Sequence, residues 1–321
     1  MHRRDLFKII AASAALPTSA VFAQGGARKI YVGFAAGTAT DVVARVLGQG
    51  LAGITGQNFV VENKVGASGQ LAVTATKASP NDGSVMLVCP MTVLSVYPHT
   101  FPHLGYDPVA DLQPVGNCAT VDLAFAVGPA VPESITTVPQ FVDWCRANPS
   151  KASFATGATG SKIHFAGMEL GARAGVNLTH VGYSNGGVAV TDLIGGNVPS
   201  YIGTVPTVVP FQKQLRILAT MGSERSRFLP GVPTLVEAGF KDLVIRESIG
   251  MYLPAKASES QVRNLNAAMG QALAGKEASA TFSAQGMEVR PTQANELAAQ
   301  LKTELAQWGP IVKRIGFKQD S

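Results

Sequence analysis

Three glycine- and hydroxyl-rich turns in this chain carry the residue types that hold anions. The first is Phe34-Ala35-Ala36-Gly37-Thr38-Ala39-Thr40-Asp41, and the second is Thr156-Gly157-Ala158-Thr159-Gly160-Ser161. The third is Tyr183-Ser184-Asn185-Gly186-Gly187. Each sits where the hydropathy pattern changes from a strand to a helix. The first amides of a helix have no intrahelical acceptor, and the helix dipole adds roughly half a positive charge there. Glycine allows close backbone approach, and such turns at the carboxyl ends of parallel strands suit a carboxylate or a phosphate. The same residues also serve as plain helix caps and tight turns, so one turn alone supports either reading. Three in one chain favour an anion cleft.

Signatures of covalent or metal chemistry fit less well. Gly66-Ala67-Ser68-Gly69 lacks the spacing of a GxSxG nucleophile elbow, so Ser68 reads as a turn residue. Gly270 to Lys276 imitates a phosphate-binding loop, but Glu277 stands where Ser or Thr would meet magnesium, and the segment lies in a helical pattern. His99 and His103 are four apart, yet Pro98 and Pro102 argue against the helix that would make them a ligand pair. Cys89, Cys118 and Cys145 have neither CxxC nor zinc-finger spacing and read as small buried side chains.

The elements that would position the turns alternate. Residues 29–35, 59–63, 84–89, 123–127, 153–155, 178–183 and 215–220 read as short strands. Helical patterns cover 40–54, 164–174 and 189–194. Ser258 with Gln261 is a capping-box signature ahead of Val262, Leu265, Met269 and Leu273 at helical spacing. A last helix starts near Thr292 and carries Leu297, Leu301, Leu305 and Trp308. Strands alternating with helices predict an α/β protein with mainly parallel sheets.

The chain has 321 residues, 46% of them hydrophobic and 15% charged, a low charge content for a globular protein. That length predicts about two domains. The net charge of +5 includes Arg3, Arg4, Lys8 and Arg28 at the N-terminus, so the rest is only mildly basic. No basic stripe with interleaved aromatics points to nucleic acid. Residues 1–23 read as an export signal: a basic start, an apolar stretch, and Val21-Phe22-Ala23 placing cleavage before Gln24. Arg3-Arg4-Asp5-Leu6-Phe7-Lys8 resembles a twin-arginine signal. The mature chain is therefore expected in the periplasm.

An ordered series of short motifs runs through the mature chain. It begins with Phe34-x-x-Gly37-x-x-x-Asp41-x-x-Ala44-Arg45 and Val61-Glu62-Asn63-Lys64-x-Gly66-Ala67-x-Gly69. Pro80-Asn81-Asp82-Gly83, Gly160-Ser161-x-x-His164-x-Ala166-Gly167 and Tyr183 follow. Then come Thr191-Asp192-Leu193-Ile194-Gly195-Gly196, Leu215-Arg216-x-Leu218-Ala219 and Arg225. Leu229-Pro230-x-Val232-Pro233-Thr234-x-x-Glu237-Ala238-Gly239 completes the series. It resembles the Bug family, the extracytoplasmic solute receptors of tripartite tricarboxylate transport systems.

That resemblance implies a two-lobed periplasmic-binding fold of type II character. Each lobe would be a mixed, mainly parallel sheet flanked by helices, with two crossover hinge strands assigned to 122–127 and 215–220. Lobe 1 would hold residues 24–122 and 222–321, and lobe 2 residues 123–221. A small carboxylate-bearing organic acid would be enclosed between them and delivered to integral-membrane transporter subunits. The carried-over contacts are Phe34, Gly37, Thr38 and Asp41 from the first loop, and Ala158, Thr159, Ser161 and His164 from the second. Tyr183 and Gly187 come from the third. Arg45, Glu62 and Asn63 read as a structural polar cluster. Thr38 stands where the family has a second glycine, and Ser184-Asn185 replaces its Lys-Gly. No cofactor, metal or nucleic acid is implied, a monomer is expected, and no catalysis is required. Two alternatives remain: a receptor that feeds a sensor or regulatory partner, or an exported hydrolase using Ser68 or Ser161.

Overall fold

The computed structural model describes residues 26–318; the export-signal reading and the cleavage before Gln24 lie outside them. The chain begins with β1 (Arg28–Val32), α1 (Ala39–Thr55), β2 (Phe59–Asn63), α2 (Gln70–Lys77) and β3 (Val85–Pro90). Two short helices, α3 (Met91–Ser95) and α4 (Tyr97–Thr100), lead into β4 (Leu112–Val127). Then follow α5 (Val138–Ala147), β5 (Ser153–Thr156), α6 (Lys162–Ala174), β6 (Thr179–Gly182), α7 (Gly186–Ile194) and β7 (Ser200–Thr204). After α8 (Val205–Val208) come β8 (Arg216–Thr220) and β9 (Arg246–Pro254). The chain closes with α9 (Glu259–Leu273), α10 (Lys276–Ala284), β10 (Glu288–Val289) and α11 (Ala294–Ile315).

The strands pair in the order β2-β1-β3-β9-β4-β7-β5-β6, with β8 and β10 also against β4. β1 pairs in parallel with β2 and β3, and β5 pairs in parallel with β6 and β7. β4 joins the two parallel groups. Its residues Leu112–Asp122 lie antiparallel to β9, and Leu123–Val127 lie antiparallel to β7 and β8. The result is a two-lobed α/β fold whose sheet halves share one 16-residue strand.

Burial on both faces explains why β3 and residues 123–127 of β4 are apolar at every position. In β1, Ile30 and Val32 pack beneath α1 and α9, while Tyr31 enters the cluster on the opposite face. In α1 the buried set Val43, Ala44, Leu47 and Leu51 recurs at helical spacing. The capping box starting α9 forms with both reciprocal bonds, Gln261 N–H to Ser258 Oγ and Ser258 N–H to Gln261 Oε1. Cys89, Cys118 and Cys145 are free and buried. Burial pushes their thiols up, that of Cys145 to about 12.

Two sequence expectations need correction. The crossing strand expected at 122–127 begins ten residues earlier, because bulges near Pro114/Gly116 and Asn117/Ala119 absorb residues that read as a turn. The other expected crossing strand, 215–220, forms β8 but pairs only with β4 residues Ala124–Val127. The return runs further on, where Met221 N–H donates to Leu123 O and Ile245 N–H donates to Met221 O. The helical turn Tyr97–Thr100, with Pro98 in its first turn where the missing N–H costs nothing, ends before His103, so no helix carries both histidines.

Candidate ligand-binding site

The first loop leaves β1 and turns into α1 with Gly37 at φ +84°, a left-handed conformation that favours glycine. Its shape is set from beneath by Asp41, which is 1% exposed. Gly37 N–H donates to Asp41 Oδ2 at 2.9 Å, and Asn63 Nδ2 donates to Asp41 Oδ1 at 2.7 Å and to Phe34 O at 2.9 Å. Arg45 adds Nε to Oδ2 at 2.8 Å and a second nitrogen to Oδ1 at 3.0 Å. Burial works to raise the Asp41 carboxyl, but the Arg45, Asn63 and Gly37 donors outweigh it and hold it below the ordinary value. Asp41 therefore braces the loop from within. Of the expected polar cluster, Arg45 and Asn63 meet at Asp41, whereas Glu62 pairs with Lys29 and Lys64.

Thr38 occupies the N-cap position without capping; its Oγ1 donates to Ala35 O at 2.8 Å and closes the loop. The N–H groups of Ala39, Thr40 and Asp41 thus open α1 without intrahelical acceptors. Phe34 lies over the neighbouring 66–69 turn, where a Cβ on Gly69 would come within 2.9 Å of its ring. Ser68, with φ +56°, is an exposed member of that turn.

The second loop joins β5 to α6. Ser161 is its N-cap: Ile163 N–H donates to Ser161 Oγ at 3.2 Å, and that hydroxyl donates to Ala158 O at 2.6 Å. Gly160 N–H donates to His164 Nδ1 at 3.3 Å, which leaves the ring proton on Nε2. His164 is 4% exposed and packs under the loop, stacked on His180 with ring centroids 3.8 Å apart. His180 Nε2 lies 2.8 Å from Thr156 Oγ1. Burial lowers His164 to about 3, helped by His180, and lowers His180 to about 4. Both rings are neutral at pH 7. His164 does not aim at Ser161, so the geometry offers that hydroxyl no base.

The third loop leaves β6 into α7. Tyr183 N–H donates to Thr156 O, and its hydroxyl donates to Asp192 Oδ2 at 2.8 Å. Burial and Asp192 push that phenol up to about 12. Asn185 caps α7 by accepting Val188 N–H at 3.1 Å, and Gly187 is exposed. Loops two and three touch through backbone: a Cβ on Gly157 would lie 2.0 Å from Gly186 N.

Of the expected contacts, Phe34, Gly37 and Thr38 sit together on one half of the sheet. Ala158, Thr159, Tyr183 and Gly187 gather on the other. Asp41, Ser161 and His164 are buried, Asp41 bonded to Gly37, Arg45 and Asn63, and Ser161 and His164 bonded within the second loop and the start of α6. The sequence reading missed the residues that join the halves here. Lys162 N–H donates to Thr92 Oγ1 at 3.2 Å, tying the start of α6 to α3, which follows β3, the neighbour of β1. Lys162 Nζ lies 2.6 Å from Glu304 and 3.6 Å from Glu247. The one available signal was a lysine in a helix's first turn, where the dipole disfavours a cation.

Two sheet halves joined by crossing strands, with helix starts at the carboxyl ends of parallel strands, define a periplasmic binding protein. A family model for the tripartite tricarboxylate transporter family receptor, TctC, matches residues 43–317, and the chain belongs to this family of periplasmic solute receptors. Protein BugT of Bordetella pertussis is 30% identical over 313 residues, covering 97% of this chain and 95% of that protein. The Rpa4515 structure from R. palustris with adipate is 25% identical, with a TM-score of 0.82 over 91% of this chain and 98% of that one. MatC from Rhodopseudomonas palustris with bound malate is 26% identical, with a TM-score of 0.77 over 89% and 98%. No helix among the described residues is long and apolar enough to cross a membrane.

Proposed function

We propose that this protein captures a small carboxylate-bearing organic acid between its lobes and hands it to a tripartite tricarboxylate-type membrane transporter. The observation that carries the reading is the start of α1. A braced glycine loop presents amides without intrahelical acceptors, while the cap hydroxyl of Thr38 is turned back onto Ala35. Across the cleft the second and third loops offer Ala158, Thr159, Tyr183 and Gly187. We take residues 24–122 with 222–321 as one lobe and 123–221 as the other. Ligand would favour the closed arrangement, because only there does it touch both lobes. The adipate and malate in the two similar structures support a dicarboxylate class. No covalent step is needed, and the protein would work as a periplasmic monomer after cleavage before Gln24.

Calorimetry with adipate, malate and citrate, alongside uncharged diols of matching length, tests the reading. Binding of at least one acid and of none of the diols is expected. Binding of a diol with indifference to every acid would sink it.

A further inference from the structure

A lysine that is 2% exposed must be paired, since an isolated buried ammonium is far too costly. Lys162 meets this requirement with partners drawn entirely from outside its own sheet half. Nζ reaches Glu304 Oε2 at 2.6 Å and Glu247 Oε1 at 3.6 Å, and donates to Arg246 O at 3.4 Å. The socket is itself held in place. Ser95 Oγ donates to Glu304 Oε2 at 2.8 Å, Gln300 Nε2 donates to Glu304 Oε1 at 3.0 Å, and Thr92 N–H donates to Glu247 Oε1 at 3.2 Å. Burial opposes the lysine's charge, but the two carboxylates outweigh it and hold its pKa up.

The socket adjoins the crossing. Arg246 is the first residue of β9 and pairs in register with Asp122, the last β4 residue on that side. Its guanidinium also meets Asp122 Oδ1 at 2.6 Å and Glu288 Oε2 at 2.8 Å. Rotation of one lobe about crossing strands displaces atoms least near those strands. Lys162 is also the residue directly after Ser161, the cap of the second loop.

We propose that Lys162 is a positioning residue: a pin at the hinge that fixes the second ligand loop to the opposite lobe without touching ligand. The pin persists as the lobes open and close, so the cleft swings about it. This inference rests on the proposed function for its affinity readout, but its geometric readout does not.

The test uses spin labels on Lys151→Cys and Lys276→Cys, both exposed positions on opposite halves, with the native cysteines buried. The interlobe distance distribution is measured in ligand-free protein carrying Lys162→Met with Glu304→Met, which removes both charges of the closest pair. A broadened distribution is expected, with affinity for adipate or malate down roughly tenfold, the size of an ordinary coupling between sites. Lys162→Arg should restore most of both. Thr92→Val, which removes the acceptor of the Lys162 N–H while leaving the Lys162–Glu304 pair in place, gives a second folded probe with the same, smaller effects. A folded variant with an unchanged distribution, or with unchanged affinity, overturns the pin. Should none of adipate, malate and citrate bind the wild type, the proposed function fails, while the distance measurement still decides the pin.

Discussion

His164 and His180 stack face to face beneath the second loop, with ring centroids 3.8 Å apart. The pair works only while neutral, because Gly160 N–H donates to His164 Nδ1 and a protonated ring has no acceptor there. Burial lowers the two rings to about 3 and about 4 from an ordinary 6.5. As pH falls below 6.5 the unfolded chain takes up protons that the native state refuses. Stability from this pair is therefore complete above pH 6.5 and is lost as pH falls towards the native values. Glu247 and Asp122, whose carboxyls burial holds up, act with the opposite sign. Comparing wild type with His164→Phe/His180→Phe isolates the histidines. The wild-type melting temperature should fall from pH 7 to pH 5 more steeply than the variant's; parallel profiles would contradict this.

Asp41 is the brace of the first loop. Asp41→Ala removes the acceptor of the Gly37 N–H and of one Asn63 amide hydrogen at a partly buried position, a loss of about 1 kcal/mol for each bond. Urea unfolding should show a lower midpoint with unchanged slope, and ligand affinity should fall with it because Gly37 loses its anchor. Asp41→Asn, which keeps part of the network, should lie between. An unfolding free energy within about 0.5 kcal/mol of wild type, the scatter of ordinary surface substitutions, would mean the loop holds itself.

Much of this scaffold was readable because it is locally determined. Residues 59–63 were read as a strand and form β2 whole. The box at Ser258 and Gln261 announced α9 because both of its bonds span only three residues. The three loops stood out because each lies directly between a strand and a helix. β9 was missed because Arg246-Glu247-Ser248 looks like a loop until β4 pairs with it. The first half of β4 was hidden by Pro114 and Gly116. The Lys162 socket was invisible for a related reason: Thr92 lies 70 residues away, and Glu247 and Glu304 lie on two further elements. Asp41 and His164 were expected at the ligand, and both side chains turn inward, since sequence carries no information on which way a loop side chain turns.

Glycine positions separate loop contact from simple flexibility. Gly157→Ala would drive a Cβ to 2.0 Å from Gly186 N, so loops two and three must part. Ligand affinity and melting temperature should both drop. Gly53 lies exposed inside α1 with nothing within 4 Å of its Cβ position. Gly53→Ala should therefore stabilise by about 0.8–1 kcal/mol, the helix-propensity difference, and leave affinity unchanged. Equal effects of the two alanines on affinity would refute the assigned contact.

The end of α11 extends the connection between the sheet halves beyond their shared strand β4. Early in the helix, Leu297 and Leu301 are buried in the core and Gln300 Nε2 donates to Ser248 on β9. Later, Trp308 lies 6.2 Å from the Phe165 ring on α6, and Arg314 pairs with Glu169 on the same helix. Phe317, just past the helix, sits edge-on to Phe165 at 5.5 Å and to His164 at 5.0 Å. Aromatic pairs of this geometry contribute about 0.5–1.5 kcal/mol each beyond their buried area. Phe317→Ala should accordingly lower stability by about 1–3 kcal/mol. Amide hydrogen exchange should speed up most in α6 and the second loop, because those are the segments Phe317 covers. Faster exchange confined to α11 itself would show that the tail merely finishes its own helix and does not hold the opposite lobe.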